Sequence, residues 1–354
     1  MKAAVWHGKG DVRVQEAPDP GPPPTGQVRI DVSLCGICGT DLHEFYGGPV
    51  YIPLASAHPL TGIQAPVIIG HEISGRVAAV GEGVTRFKKG DRIAACPIVG
   101  CQDCRWCRSG AMAQCERVAF MGTSWTGGGF AEHVNLNEYQ CFALPDTLDD
   151  AAGALVEPFS ATFRAALRGG VEPGANVAVV GAGPIGLLTM MAARILGAKR
   201  VVAVELDRQR REAALWFGAN AGLDPAEGDS VEQANALTAG EGFDIVFECA
   251  GADRSPLLAA RLTRTRGTLV VLGVFDRPAA IDFTDIVFRE KTLIGSMSGY
   301  GRYEETIERM ADPRFLGARM ITDRIRLDDL VAKGFHPLRQ DSSGQIKILV
   351  EPGG

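Results

Sequence analysis

Four cysteines crowd one short stretch, Cys101-x2-Cys104-x2-Cys107-x7-Cys115, within GCQDCRWCRSGAMAQC. Four thiolates on a single loop can surround a zinc ion tetrahedrally and leave no position open, which describes a structural site rather than a catalytic one. The same donors also suit an iron–sulfur cluster, and a chance grouping of packed cysteines is the plainest alternative. Cys96 lies close by but breaks the spacing, while Cys35, Cys141 and Cys249 sit in apolar, strand-like runs that need them only for packing. A second set is dispersed: Cys38 in CGICGTDLHE, His71 with Glu72 in GHEISG, and Glu157 in LVEPFS. One thiolate, one imidazole and one carboxylate would leave a zinc ion an open position for water or substrate, as a catalytic metal requires.

The third signal is Gly181-x-Gly183-x-x-Gly186 in VAVVGAGPIG. It follows an apolar run and opens a helical pattern with Pro184 in its first turn, so backbone N–H groups can approach a pyrophosphate. Glu205 ends the next apolar run, where an acidic residue accepts bonds from ribose hydroxyls and repels a 2′-phosphate, which favours NAD over NADP. Arg208, Arg210 and Arg211 follow directly. They read either as a solvated helix face or as side chains, Arg210 among them, that contact the cofactor and tolerate a phosphate.

These residues must be held by elements that the rest of the chain supplies. Its 354 residues suffice for two domains, and 46% hydrophobic against 22% charged residues, with 44 glycines and 20 prolines, describe a turn-rich globular protein. A formal charge of −6 provides no positive field for nucleic acid or an anionic membrane. The longest apolar stretch, from Asn176, is broken by glycine and proline, and the start MKAAVWHGKGDVRV lacks the apolar core of a secretory signal. A cytoplasmic, reducing compartment is therefore expected. Before residue 157, short runs such as VRIDVSL, ISGRVAAV, RIAACPIV and FAEHVNL alternate with turns and predict a mostly β domain. From about Ala175, strand and helix patterns take turns: NVAVV, Pro184 to Leu196, RVVAVEL, Gln209 to Phe217, DIVFECAG, Pro256 to Leu262, TLVVLGV and TLIGSMS. That alternation predicts an α/β, doubly wound parallel sheet. A helix around Tyr303 to Met310 and a strand near IKILV are expected to rejoin the first domain.

The string GHEISGRVAAVGEGVTRFKKGDRI closely resembles the signature of the zinc-containing medium-chain dehydrogenases/reductases, the superfamily of alcohol, polyol and threonine dehydrogenases. The Cys101 to Cys115 loop, the CGICGTD turn and the VEP tripeptide fall where that family has them, and the resemblance spans essentially the whole chain. It implies a GroES-like, mostly β catalytic domain over 1–157 and 297–354, and a Rossmann NAD-binding domain over 158–296. It also implies two Zn²⁺ per subunit: one on Cys101, Cys104, Cys107 and Cys115, the other on Cys38, His71 and a carboxylate. Glu157 in VEP matches the position where the polyol branch carries Glu. Adjacent His71 and Glu72 project differently from an extended chain, so Glu157 is the expected third ligand and Glu72 an alternate or fourth. Asp41 would accept from the other ring nitrogen of His71 and fix its tautomer; the competing reading is a turn aspartate.

By the same resemblance, Ile185 backs the nicotinamide ring, and CAG at 249–251 with LGV at 272–274 lines the rest of the cofactor cleft. The Thr40 hydroxyl would lie beside the reacting alcohol, and His43 would pass its proton toward solvent unless it is a surface histidine. The loop between Cys38 and His71 carries HPLTG, then AP, then GHE, which resembles the (R,R)-2,3-butanediol dehydrogenase branch. The implied reaction interconverts a small vicinal diol or polyol and its ketone, with 2,3-butanediol and acetoin leading and sorbitol or L-threonine as alternatives. Relatives are homodimers or homotetramers. One departure stands out: FSATFRAAL follows VEP, where relatives commonly carry a histidine at Arg164 and a larger aliphatic at Ala161. A reading from another class, a zinc ribbon that binds a partner, is opposed by the acidic balance and the intact glycine motif.

Overall fold

The computed structural model describes residues 1–340 and 344–353. The chain forms two compact units. One comprises Met1–Glu157, Tyr303–Ile307 and Gly317–Gly354, and the other Pro158–Arg302 and Glu308–Leu316. The second unit thus runs on to Arg302, past the expected boundary at 297. Aromatic packing explains the later return: Tyr303 is fully buried and stacks on Phe142 of the first unit with ring centroids 4.6 Å apart. Phe315 packs against Phe159 of the second unit at the same distance, which takes the chain back before Gly317.

In the first unit, Asp11–Glu16, Lys2–Gly8 and Val67–Ile68 make a three-stranded sheet. The larger sheet runs in the order Cys141–Ala143, Arg92–Ala95, Glu72–Val80, Gln27–Gly36, Lys347–Glu351, Ile321–Arg326, with His133–Asn137 also paired to Gln27–Gly36. Val28, Ile30 and Val32 alternate inward along Gln27–Gly36, meeting Ile73 and Val77 from its neighbour and Ile348 and Val350 from the last strand. This period of two is what a sheet with one buried face requires. The expected runs VRIDVSL, ISGRVAAV and IKILV fall on these strands, whereas RIAACPIV divides: Arg92–Ala95 lies in this sheet and Ile98–Val99 in a separate pair with Ala119–Phe120.

The second unit is a six-stranded, wholly parallel sheet: Ala221–Leu223, Arg200–Val204, Asn176–Val180, Phe243–Glu248, Thr263–Val271 and Thr292–Gly295. In sequence order this is 3-2-1-4-5-6, the order of a doubly wound dinucleotide-binding sheet. Strands buried on both faces read as continuous apolar runs, as in Val177, Ala178 and Val179 or Val201, Val202 and Ala203, all fully buried. The short strand Ala221–Leu223 and the helix Ser230–Ala236 carry too little apolar pattern to have been foreseen. No described helix is long and apolar enough to cross a membrane.

The glycine turn follows Asn176–Val180, where the strand order reverses. Gly181 takes φ +96°, and its amide donates to Val204 O at 2.8 Å. A Cβ on Gly186 would lie 2.0 Å from the Gly181 carbonyl oxygen, whereas a Cβ on Gly183 would meet nothing within 4 Å. Gly186→Ala should therefore destabilise the protein by roughly 1 to 3 kcal/mol. Gly183→Ala, at φ −70°, should stay within about 0.5 kcal/mol of the parent. Denaturant unfolding of both variants checks this, and equal losses would contradict it.

Candidate active site and metal centres

The dispersed set of the first unit is assembled by one strand pair and one helix. Cys38 caps the N-terminus of the helix Gly39–Gly47, and its amide donates to Asp41 Oδ2 at 2.9 Å. Thr40 Oγ1 lies 3.7 Å from Cys38 Sγ, and His43 follows half-buried on the same helix. The antiparallel register places Gly36 opposite Glu72. A Cβ on Gly36 would lie 2.0 Å from Glu72 Oε2, so glycine is required there for the carboxylate to fit. One ligand atom each from Cys38, His71 and Glu72 lies within 4.8 Å of the others. Glu157, on the helix Asp150–Arg168, is outside that trio but close enough for its charge to act on His71.

Electrostatics mark this as a place with too many acids for a protein interior. Burial pushes the Glu157 carboxyl up to about 7 and that of Asp41 up to about 6, with the His71 charge pulling both back. For His71 itself, burial acts downward, but the Cys38 thiolate and the nearby carboxylates outweigh it and hold the imidazole well above its usual value. Asp41 Oδ1 stands 3.9 Å from His71 Nδ1, which is charge contact rather than a hydrogen bond. A bound divalent cation would relieve this crowding. Thiolate, imidazole and carboxylate are donors that zinc accepts.

Sequence reasoning missed the counter-charge. Lys347 Nζ donates to both oxygens of Glu72 at 2.8 Å and to Ile37 O at 2.9 Å, with both side chains almost wholly buried. Burial opposes the ammonium, but Glu72 and the neighbouring acids prevail and keep it above the ordinary lysine value. The available signal was a lone lysine in the apolar run IKILV, because a charge in such a strand needs a partner.

The four-cysteine loop is also assembled: Cys101, Cys104, Cys107 and Cys115 bring their sulfurs within 4.8 Å of one another. Backbone N–H groups of Cys104 and Arg117 point at the sulfurs of Cys101 and Cys115, each at 3.3 Å, as thiolate ligands are commonly supported. Cys96 stands apart from the group, buried, its thiol pushed up to about 12 by burial.

In the second unit, Pro184 opens the helix Pro184–Ile195, and Gly183 is its N-cap. The empty space above Gly183 matters here, because nothing in the protein demands a glycine there and a closely approaching ligand would. Glu205 Oε2 accepts from Ala182 N at 2.8 Å and Oε1 from Asp207 N at 3.0 Å, so the acidic residue is locked onto the glycine turn. Arg208 pairs with Glu212, and Arg211 with Asp224. The Arg210 amide is bonded to Asp207, and its side chain also has a partner. Arg208 and Arg211 are thus engaged in the protein's own ion pairs.

Two family models match. Residues 24–146 match the alcohol dehydrogenase GroES-like domain, and residues 184–312 match the zinc-binding dehydrogenase model. The chain is 39% identical over 352 residues to the (R,R)-butanediol dehydrogenase of Bacillus subtilis (strain 168), covering 99% of this chain and 100% of that one. The crystal structure of 2R,3R-butanediol dehydrogenase from Bacillus subtilis superposes with a TM-score of 0.93 at 39% identity over 99% of both chains. A Sinorhizobium meliloti 1021 structure bound to NADP superposes with a TM-score of 0.88 at 33% identity, again over 99% of both chains. With two residue groups suited to metal, the glycine turn and the sheet order in place, the chain belongs to the zinc-containing alcohol dehydrogenase family of medium-chain oxidoreductases.

Proposed function

We propose that this enzyme interconverts a small vicinal diol and its hydroxyketone, 2,3-butanediol and acetoin being the leading pair, with NAD as cofactor and two zinc ions per chain. The observation that carries the reading is the trio of half-buried Cys38 with buried His71 and Glu72, beside Thr40, in a chain similar over its full length to butanediol dehydrogenases. Cys38 and His71, with Glu72 or Glu157, would hold the catalytic ion, and the four-cysteine loop the structural one. When bound, zinc supplies a Lewis acid and the nicotinamide accepts hydride.

The chain's own residues move the proton and set the cofactor. Thr40 Oγ1 stands beside the Cys38 sulfur and takes the proton from the alcohol. His43, three residues along the same helix, carries it outward. Glu205, fixed by two backbone amides, presents its carboxylate to the ribose hydroxyls and opposes a 2′-phosphate. Nine cysteines, none in a disulfide, fit a cytoplasmic protein. Assembly as a homo-oligomer is supported by the edge strand Thr292–Gly295 of the parallel sheet, with Leu293 exposed on it and Phe283, Val287 and Phe288 exposed on the nearby helix.

Elemental analysis of active enzyme should find two zinc ions per chain. Cys104→Ser should lower stability, whereas Cys38→Ser should abolish activity with the fold intact; one zinc per chain in fully active enzyme would overturn the two-site reading. A rate comparison under saturating NAD decides the substrate. kcat/KM should be highest for 2,3-butanediol, above 2-butanol, sorbitol and L-threonine, and Glu205→Ser should shift the NAD to NADP preference by about tenfold or more toward NADP. Higher rates with sorbitol or threonine would move the substrate to a sister branch. For assembly, Phe288→Glu should reduce the sedimenting species to a smaller one, and an unchanged distribution would place the interface elsewhere.

A further inference from the structure

The string HPLTG, from His58 to Gly62, lies in the connection between Cys38 and His71 and belongs to neither metal set. That connection is tied down twice. Near its start, Glu44 is 1% exposed on the helix Gly39–Gly47. Its Oε2 accepts from Val50 N at 3.0 Å, and its Oε1 from Tyr51 N at 2.5 Å and Ile52 N at 3.1 Å. Such charge-assisted bonds are about twice as strong as neutral ones, so three successive amides are held to the helix that presents Thr40.

Further on, HPLTG closes into a turn, with Gly62 N donating to His58 O at 2.8 Å and His58 N to Ile63 O at 2.7 Å. The turn grips a second piece of chain at two points. Leu60 N donates to His58 Nδ1 at 3.3 Å, so the ring proton sits on Nε2, which donates to Val118 O at 3.1 Å. Thr61 Oγ1 donates to Ser124 O at 2.7 Å. The gripped piece is the continuation of the four-cysteine loop: Val118 N donates to Cys115 O at 3.2 Å, and Ala119–Phe120 pairs with Ile98–Val99 across the base of that loop.

The same piece then meets the approach to His71. A Cβ on Gly122 would lie 2.3 Å from the Gly70 carbonyl oxygen, so the two backbones touch there. Gly129 N donates to that oxygen at 2.8 Å, and Phe130 N to Ile69 O at 2.9 Å. Residues 69 and 70 are thus fixed by the chain that leaves the four-cysteine loop, directly ahead of a metal donor. We propose that residues 115–130 are a bridge by which the four-cysteine loop positions His71, and that His58 and Thr61 are positioning residues that lock the connection between Cys38 and His71 onto it. The four-cysteine loop then serves the catalytic set as well as its own surroundings. The inference rests on the two-zinc reading above, and the experiment separates the two.

Iodoacetamide alkylation of zinc-loaded enzyme, followed at each cysteine by mass spectrometry, reads how firmly the catalytic set is held, because the free thiolate is the reactive form. With His58→Leu and Thr61→Val combined, both donors are lost, and Cys38 should react about fivefold faster or more. The same variant should lose activity faster under a chelator and regain it with added Zn²⁺, which an unfolded chain would not. With His58→Gln and Thr61→Ser combined, both donors are kept, and Cys38 should react within about twofold of the parent. Cys104→Ser should speed hydrogen exchange of the Gly129 and Phe130 amides while Val177, Ala178 and Val179 in the parallel sheet stay protected. Unchanged Cys38 reactivity in the first double variant, or an equal gain in the second, would overturn the proposal and leave the two-zinc reading standing. Unchanged Gly129 and Phe130 exchange in Cys104→Ser would overturn the bridge. A parent with zinc at one set only would overturn both readings.

Discussion

The bond between Lys347 and Glu72 sets the terms for the rest of the first unit. Cys38, Asp41, Glu72 and Glu157 are acidic groups gathered in or beside a protein interior, and Lys347 is the permanent cation among them. A buried carboxylate without a partner costs several kcal/mol, so an arrangement of this kind holds only if charge and hydrogen bonds are both supplied. Lys347 satisfies two oxygens of Glu72 and the Ile37 carbonyl with its three donors. A bound divalent cation would offset the remaining excess of negative charge. The glycine at 36 follows from the same constraint, because the Glu72 carboxylate occupies the space that a side chain there would need.

Topology serves that bond. The strand Lys347–Glu351 lies between Gln27–Gly36 and Ile321–Arg326 in the sheet, so the last stretch of chain is built into the middle of the first unit. The parallel unit enters as an insertion, and its own requirements are local: a left-handed Gly181, a sterically obligatory Gly186, and Glu205 bonded back onto the turn. One unit thus depends on a contact spanning 275 residues, whereas the key acidic residue of the other reaches back only 23.

This contrast explains what could be read from the sequence. Cysteine spacing, the glycine turn and the strand and helix alternation from 176 onward depend on neighbours in the chain, and in the structure the four cysteine sulfurs lie together and strands and helices alternate from 176 onward. The long helix Asp150–Arg168 escaped notice because it carries Gly153 and Pro158, residues that weaken a helical pattern. Lys347 and Glu44 escaped for a different reason. Each reads locally as an ordinary charged residue, and only the fold reveals the carboxylate or the three amides it must meet. Between Glu72 and Glu157 as ligands, adjacency to His71 suggested divergent directions, but the strand pairing with Gly36 brings the Glu72 carboxylate into the trio.

The order in which a ribosome makes this chain gives the same ion pair another meaning. Glu72 is synthesised 275 residues before its lysine, and the whole parallel unit emerges in between. At roughly 5 to 20 residues per second, the acidic cluster waits on the order of 14 to 55 seconds for its counter-charge, while the parallel unit, whose strands pair only with one another, can already close. The first unit is therefore the last to finish. Until Lys347 arrives, the nascent protein exposes a thiolate, an imidazole and several carboxylates with no internal cation, and that interval is when it is most open to the wrong metal ion.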